Sequence, residues 1–285
     1  MSAISQTDLI LNPDGSVYHL SLKPENISHT IIAVGDPNRV HQVSRHFDSI
    51  EFEMNKREFI THTGHYKGKR LTVISSGMGT DNVEILMTEL DALVNIDLLT
   101  REPKEETTKL EIVRVGTSGS IQDDILPGAH LLSEYAIGLD PLISFYPVQQ
   151  DTLEEQVSKA LQKNLDLPYA PYCIRGSNRL RDRFADFPLM GNTLTCPGFY
   201  ASQGRSIRTD IRYPHLAEEL SRFHVEDFWI TNMEMETAGY YAMARLLGHE
   251  MISLNAILAN RIGKTFSAEP DRVIDSLIEK VLDRI

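Results

Sequence analysis

Two short stretches of this chain put arginines beside the glycines and hydroxyls that let backbone approach a small anion, and a third carries two closely spaced carboxylates. In Gly35-Asp36-Pro37-Asn38-Arg39, Asp36 suits the N-cap of a helix and Pro37 its first turn. Gly35 and Arg39 then add free N–H groups, close backbone approach and a guanidinium, which together make an anion pocket. Arg114-Val115-Gly116-Thr117-Ser118-Gly119 places an arginine in an otherwise apolar strand, followed by glycine and hydroxyl residues. Arginine is rarely buried without a partner. Arg114 is therefore read as a second anion contact, the alternative being a pairing with a structural carboxylate. Asn232-Met233-Glu234-Met235-Glu236-Thr237 reads as a helix entry carrying two carboxylates two residues apart. On a helix these point to different faces, which argues against a paired-carboxylate dyad. One of them, facing a pocket, can accept two sugar hydroxyls through its lone pairs.

Other motifs fail on spacing. Gly263-Lys264-Thr265 lacks the earlier glycine of a phosphate loop, because Leu258 stands there. Gly77-Met78-Gly79 begins a dinucleotide fingerprint but reaches Asn82 where glycine is required. His249-Glu250 has no second histidine at metalloprotease spacing, and Ser118 does not sit in a nucleophile elbow. Kinase, dehydrogenase, zinc protease and serine hydrolase chemistry are set aside.

The elements that must position these groups follow from periodicity. Residues 30–34 form a β-rich run, and Val40, Val43 and Phe47 follow at helical spacing. Residues 60–66 and 71–75 read as a hairpin around Lys67-Gly68-Lys69, and Val83, Leu86, Leu90 and Leu93 mark an amphipathic helix. Residues 110–115 and 252–259 are buried strands, 235–247 a helix, and Val273, Ile274, Leu277 and Val281 the stripe of a closing helix. No linker divides the chain. The expectation is one α/β domain over residues 1–285, a three-layer arrangement with a central mixed sheet flanked by helices. Residues 101–109 read as a solvated loop, and residues 165–211, rich in Pro, Gly, Asn and Arg, as a long irregular segment where substrate contacts are sought.

With 28 Lys and Arg against 40 Asp and Glu, the formal net charge of −12 over 285 residues excludes a general nucleic-acid binder. A hydrophobic content of 41% with 24% charged residues is that of a folded protein with a large core. No stretch is apolar enough for a membrane helix and no signal peptide is legible, so a cytoplasmic location is expected. Two cysteines, Cys173 and Cys196, are read as reduced.

Taken in order from Tyr18-His19-Leu20 to Asn260-Arg261, the sequence resembles the nucleoside phosphorylase family, and within it the uridine phosphorylases. The most specific element is Gly191-Asn192-Thr193 leading to Phe199-Tyr200-Ala201-Ser202-Gln203-Gly204-Arg205, which is similar to their pyrimidine-recognition loop. The resemblance implies that Gly35, Arg39, Arg114 and Thr117 bind phosphate, joined by Arg57 of a neighbouring subunit. It implies that Glu234, Met235 and Glu236 hold ribose, with His19 reaching the 5′-hydroxyl across the interface. Phe199 would stack near the base, Gln203 and Arg205 would bond its O2, N3 and O4 edge, and Arg261 would support that edge. Arg114, Arg205, Gln203 and Glu236 are the groups assigned to catalysis. The implied partners are a nucleoside, phosphate as co-substrate, and a second copy of the chain that completes the site; dimer or hexamer is left open. No metal and no organic cofactor are implied. Thr80-Asp81-Asn82 departs from the small Pro/Ser residues usual there, so a monovalent cation around Glu58 and Asn82 is not assigned.

The chemistry agrees on independent grounds. Glycosidic cleavage passes through an oxocarbenium-like state, cationic at the sugar and anionic at the leaving base. A phosphate dianion stabilises and attacks the first, and donors at the base carbonyls stabilise the second. The rivals are a purine or broad-specificity nucleoside phosphorylase, a hydrolase, and a non-catalytic nucleoside-binding relative. Purine-specific members of this fold carry Ser-Asp after the last strand, where this chain has Asn260-Arg261.

Overall fold

The computed structural model describes residues 3–285, and among these fourteen strands and seven α-helices alternate. In chain order β1 (Thr30–Val34) leads into α1 (Pro37–Ser44), followed by an antiparallel meander of β2 (Ser49–Lys56), β3 (Phe59–Tyr66) and β4 (Lys69–Ser75), and then by α2 (Thr80–Asn95). The two-residue strands β5 (Ile96–Asp97) and β6 (Glu102–Pro103) pair with each other before β7 (Glu111–Ser120) and β8 (His130–Gly138). Next come α3 (Thr152–Asn164), β9 (Tyr172–Arg175), α4 (Asn178–Arg183), β10 (Leu189–Thr195) and α5 (Leu216–Arg222). The chain finishes with β11 (His224–Val225), β12 (Phe228–Glu234), α6 (Thr237–Leu247), β13 (Glu250–Asn260), β14 (Thr265–Phe266) and α7 (Pro270–Leu282).

Twelve strands form one mixed sheet in the order β11-β12-β10-β8-β13-β7-β1-β4-β3-β2, with β14 on β13 and β9 on β8. β1 lies parallel between β4 and β7, and four of its five residues are buried, as a strand covered on both faces requires. β12 also pairs with the end of β7, Asn232 opposite Ser120 and Met233 opposite Gly119. That second pairing closes β7, β13, β8, β10 and β12 into a ring, so half of the sheet folds back on itself while β1 to β4 extend it as an open wing. A large apolar core lies between the sheet and α1, α2, α6 and α7, and a second around Val157, Leu161, Leu194, Leu220 and Ile230.

The α/β class, the mixed sheet, the flanking helices and the 67–69 hairpin stand as expected. Five readings differ. Residues 165–211 are not irregular throughout: they hold β9, α4 and β10, the last lying between β8 and β12 in the middle of the sheet. Its buried positions include Gly191, Thr193 and Thr195, so no apolar alternation marks it in sequence. β7 runs on through Ser120, and β12 ends at Glu234, so α6 begins at Thr237 and the Glu234–Glu236 pair lies in a strand-to-helix turn. Phe47 lies beyond the end of α1. The 101–109 segment is largely exposed, but it carries β6, and Asn95 fastens it by accepting from the Thr108 N–H at 2.7 Å. Both cysteines are free and buried. No described helix is long and apolar enough to cross a membrane.

Candidate active site

A cavity of about 770 Å³ opens at the carboxyl ends of β1, β7 and β12, where open α/β sheets place ligand sites. Gly35, Asp36 and Arg39 line one end, Arg114, Thr117, Glu234, Met235 and Glu236 the middle, and Phe199, Gln203 and Arg205 lie along the wall with Met233, Leu258 and Phe266. Ten of the thirteen residues assigned from sequence thus meet in one space.

Arg114 is its centre. It rises from β7 with 3% exposure; Nη2 donates to Glu236 Oε2 at 2.6 Å and forms an ion pair with Glu234 Oε2 at 3.0 Å. Nη1 donates to Ser253 Oγ and Asn255 Oδ1, each at 3.3 Å. Arg114 is thus paired with carboxylates, and it also faces the cavity. Gly116, two residues on and on the same face of β7, is what gives the guanidinium room. A Cβ there would lie 1.9 Å from Arg114 Nη1 and 2.9 Å from Asn255 Oδ1.

The two carboxylates have different hydrogen-bond surroundings. Glu234 accepts from the Thr195 hydroxyl at 2.6 Å and from the Glu236 and Thr237 N–H groups, each at 2.9 Å to Oε2, and it is ion-paired with Arg114. Its acceptors are spent on shaping the turn and capping α6. Thr195 completes that cap by accepting from the Ala238 N–H at 2.9 Å. Glu236 accepts only from Arg114 and from the Gly79 N–H at 3.0 Å, so one lone-pair site remains on each oxygen. Burial holds the Glu236 carboxyl above its usual range against the pull of Arg114, with Glu234 adding to the rise. The argument against a convergent pair fails because the residues do not lie on one helix.

Arg39 sits at the start of α1, whose N-cap Asp36 accepts from the Asn38 N–H at 2.9 Å. It is buried, the sole hydrogen bond of its guanidinium among the described residues is a long one of 3.4 Å to Val115 O, and its Nε is buried without a partner there, as is Nε of Arg114. Burial and then the charge of Arg114 press Arg39 below the ordinary guanidinium value. Two buried guanidiniums with unspent donors make a strong site for an oxyanion.

At the other end, Gly204 takes a left-handed conformation that closes the Ala201–Gln203 turn. Gln203 is buried; its Nε2 donates to Gly198 O at 3.0 Å and its Oε1 accepts from Arg205 Nη1 at 2.6 Å. Arg205 also donates to Phe199 O at 2.6 Å, and its guanidinium lies 3.9 Å from the centre of the Phe199 ring. Burial and then the nearby Arg261 push Arg205 down to about 10. Arg261 does not line the cavity; it donates from Nη1 to Gln203 O at 3.0 Å and supports the loop from behind. Asn260 is structural, donating to Gln122 O at 2.8 Å and Ile125 O at 3.1 Å.

Arg57 and His19 are absent from this chain's cavity. Arg57 has a φ of 53° at the turn between β2 and β3, its guanidinium 5.9 Å from the Tyr18 ring centre. His19 donates from its backbone N–H to Glu89, and its Nδ1 lies 2.7 Å from Glu89 Oε1. Sequence reasoning missed Gly79, Ser118, Thr195, Asn232, Ser253 and Asn255. Gly77-Met78-Gly79 was visible as a motif; Gly77 and Met78 line the cavity, and Gly79 supplies a backbone donor to Glu236.

Residues 29–282 match the phosphorylase superfamily. The uridine phosphorylase of Thermococcus kodakarensis is 28% identical over 256 residues, 89% of this chain and 80% of that protein. A DeoD-type purine nucleoside phosphorylase of Oceanobacillus iheyensis is 23% identical over 273 residues, 94% of this chain and 98% of that one. A solved Trypanosoma brucei nucleoside phosphorylase, described as showing uridine phosphorylase activity, superposes with a TM-score of 0.86 at 27% identity and covers 97% of this chain and 98% of its own. The chain belongs to the phosphorylase superfamily. Within it, it is a member of the nucleoside phosphorylase family and a pentosyltransferase.

Gly116→Ala tests the geometry at the centre. The added methyl must displace Arg114 from both carboxylates, so activity should fall by about 10²-fold, the scale of an ångström-level misplacement in an active site. The Tm should drop as well, because two buried carboxylates lose their cation. Wild-type kcat/KM and Tm in this variant would show that the guanidinium has another place to go.

Proposed function

We propose that the chain catalyses phosphorolysis of a pyrimidine nucleoside, uridine and phosphate giving uracil and ribose 1-phosphate. The observation that carries the reading is the Phe199, Gln203 and Arg205 cluster: an amide and a guanidinium, locked together beside an aromatic face and lining the cavity. Donors of that kind suit a ring with carbonyls at O2 and O4. Where purine-specific relatives would carry an acid to protonate the base, Asn260 is bonded to backbone and Arg261 points behind the loop. Both uridine and purine nucleoside phosphorylases occur among the relatives, so the base assignment rests on this cluster.

In this mechanism Gly35, Arg39, Arg114 and Thr117 hold the phosphate dianion, which is the co-substrate and attacks C1′. The spare lone pairs of Glu236 hold the ribose hydroxyls, and Met235 lies against the sugar. As the glycosidic bond lengthens, negative charge moves onto the base carbonyls, where Arg205 and Gln203 receive it. The depressed pKa of Arg205 fits that role, because a guanidinium short of counter-charge gains most when an anion forms beside it. Glu234 acts through the turn it shapes and through Arg114 rather than as a sugar ligand. The chemistry calls for no metal and no covalent enzyme intermediate. Two buried free thiols suit a reducing cytoplasmic setting. His19 and Arg57, both outside their own chain's cavity, serve the site of a second copy.

Arg39→Ala should raise the KM for phosphate by about 10-fold or more, the value of one charge-assisted contact of about 1.5–3 kcal/mol. Its Tm should not fall, since Arg39 makes one long bond and its burial opposes its charge. Phosphate should raise the Tm of the wild type and not of the variant. An unchanged phosphate KM would remove Arg39 from the anion site.

Base choice is read by following nucleoside cleavage spectroscopically with and without phosphate. Uridine should be consumed only with phosphate present. Cytidine, whose amino group at position 4 would confront the donors of Arg205, should be slower by about 10⁴-fold. Comparable kcat/KM for inosine and uridine would move the assignment to a broad-specificity or purine phosphorylase, and turnover without phosphate would make the chain a hydrolase.

The shared site is tested by mixing. Arg57→Ala chains and Arg205→Ala chains, each inactive alone, should recover activity together, because some mixed interfaces contain one intact site. No recovery after verified subunit exchange would place Arg57 outside the partner's site.

A further inference from the structure

The ring of five strands has a polar interior. Arg114 on β7, Asn255 on β13, Ser133 on β8, Thr193 on β10 and Asn232 on β12 are all buried, and each touches the next; the last returns to Ser118, again on β7. One side chain from every strand of the ring takes part. The direction of the first bond is fixed because a guanidinium can only donate, and the later bonds follow from the orientation of the Asn255 and Asn232 amides. Arg114 Nη1 donates to Asn255 Oδ1 at 3.3 Å, which leaves Asn255 Nδ2 to donate to Ser133 Oγ at 3.1 Å. Thr193 gives its one proton to Asn232 Oδ1 at 3.0 Å, so across the 2.6 Å contact between the two hydroxyls Ser133 is the donor. Asn232 Nδ2 finally donates to Ser118 Oγ at 2.9 Å.

Ser118 therefore receives a hydrogen bond and keeps its own proton, while lining the cavity beside Thr117, Gly119, Met233 and Glu234. We propose that this chain of side chains is a positioning device, and that it holds the Ser118 hydroxyl as a further nucleoside-binding donor whose proton cannot turn inward. Asn255, Ser133, Thr193 and Asn232 are positioning residues; Ser118 is the group that touches substrate. The nucleoside rather than phosphate is the partner, because the bond from Asn232 draws Ser118 toward β12, where Met233 leads to the base wall, and away from Arg39 on α1. A buried hydroxyl with a fixed orientation donates without reorganisation, which is the condition under which a neutral donor contributes most.

The inference rests on the cavity being a nucleoside site and not on which base it takes. The assay accordingly uses whichever nucleoside the wild type cleaves, so failure of the pyrimidine assignment is read separately, from the wild-type panel. Ser118→Ala should lower kcat/KM for the nucleoside about tenfold, the loss expected of one hydrogen bond, with the phosphate KM unchanged within about twofold. Ser118→Thr keeps the hydroxyl and should restore most of the loss. Asn232→Asp keeps shape and the contact with Thr193 but offers Ser118 an acceptor, so the hydroxyl should turn inward and activity should fall as in Ser118→Ala. Combining the two should add nothing, whereas independent structural damage adds. Thr193→Val, which removes the group that orients Asn232 without adding charge, should give the same nucleoside-only loss and covers the case in which Asn232→Asp does not fold. The proposal is overturned by wild-type kinetics in Ser118→Ala, by a loss confined to phosphate, by additive losses in the double variant, or by wild-type nucleoside kinetics in Thr193→Val.

Discussion

A single guanidinium buried inside a sheet sets the terms for everything around it. Arg114 can be tolerated there only with opposite charge and hydrogen-bond partners close by, and the molecule supplies them from three places in the fold. Glu236 and Glu234 come from the strand-to-helix turn after β12, Ser253 and Asn255 from β13, and the space from Gly116 on its own strand. Breaking one partner leaves an uncompensated buried charge, so the register of β7, β13 and β12 and the entry angle of α6 are fixed together. A buried ion pair of this kind is weak as a source of net stability and strong as a determinant of geometry.

From that constraint the charge balance of the site follows. Glu234 and Glu236 outnumber Arg114, and Arg39 restores neutrality without a carboxylate of its own, its guanidinium held by one long bond to backbone. Positive charge is thereby left available at the end of the cavity beside the α1 N-terminus, while the carboxylates face the middle. An oxyanion at one end and hydroxyls in the centre are what such a gradient accommodates. The protein spends folding energy to hold this arrangement, since burial opposes the charge on Arg39 and raises the Glu236 carboxyl.

The base end is built on a different principle. Gln203 and Arg205 lie in a loop rather than a strand, yet nearly every donor and acceptor nearby is engaged: Gln203 with Gly198, Arg205 with Phe199 and Gln203, Arg261 with the Gln203 carbonyl. A loop cross-bonded in this way behaves as a rigid wall, which recognition of a planar ring requires. Gly204, in the left-handed region, and the cation stacked on Phe199 complete it.

Sequence by itself determined the α/β class, the first βα unit with its Asp36 cap, the 67–69 hairpin, the closing helix, and the types of residue that gather in the cavity. These are local: a cap, a turn or an apolar stripe is encoded within one or two helical turns or one strand. Arg39 and Arg114 were legible because a charge in an apolar context demands a partner wherever the chain goes. What only the tertiary structure decided is who the partners are. Glu234 and Glu236 looked divergent under the assumption of a helix and converge because the chain turns between them. β10 was unreadable because its inward face is Gly191, Thr193 and Thr195, polar groups that are satisfied only when the strand sits between β8 and β12. Ser133, Asn232 and Asn255 carry no signal along the chain for the same reason. Closing the sheet into a ring brings together side chains more than a hundred residues apart, and a hydrogen bond between such residues leaves no trace in the spacing of either.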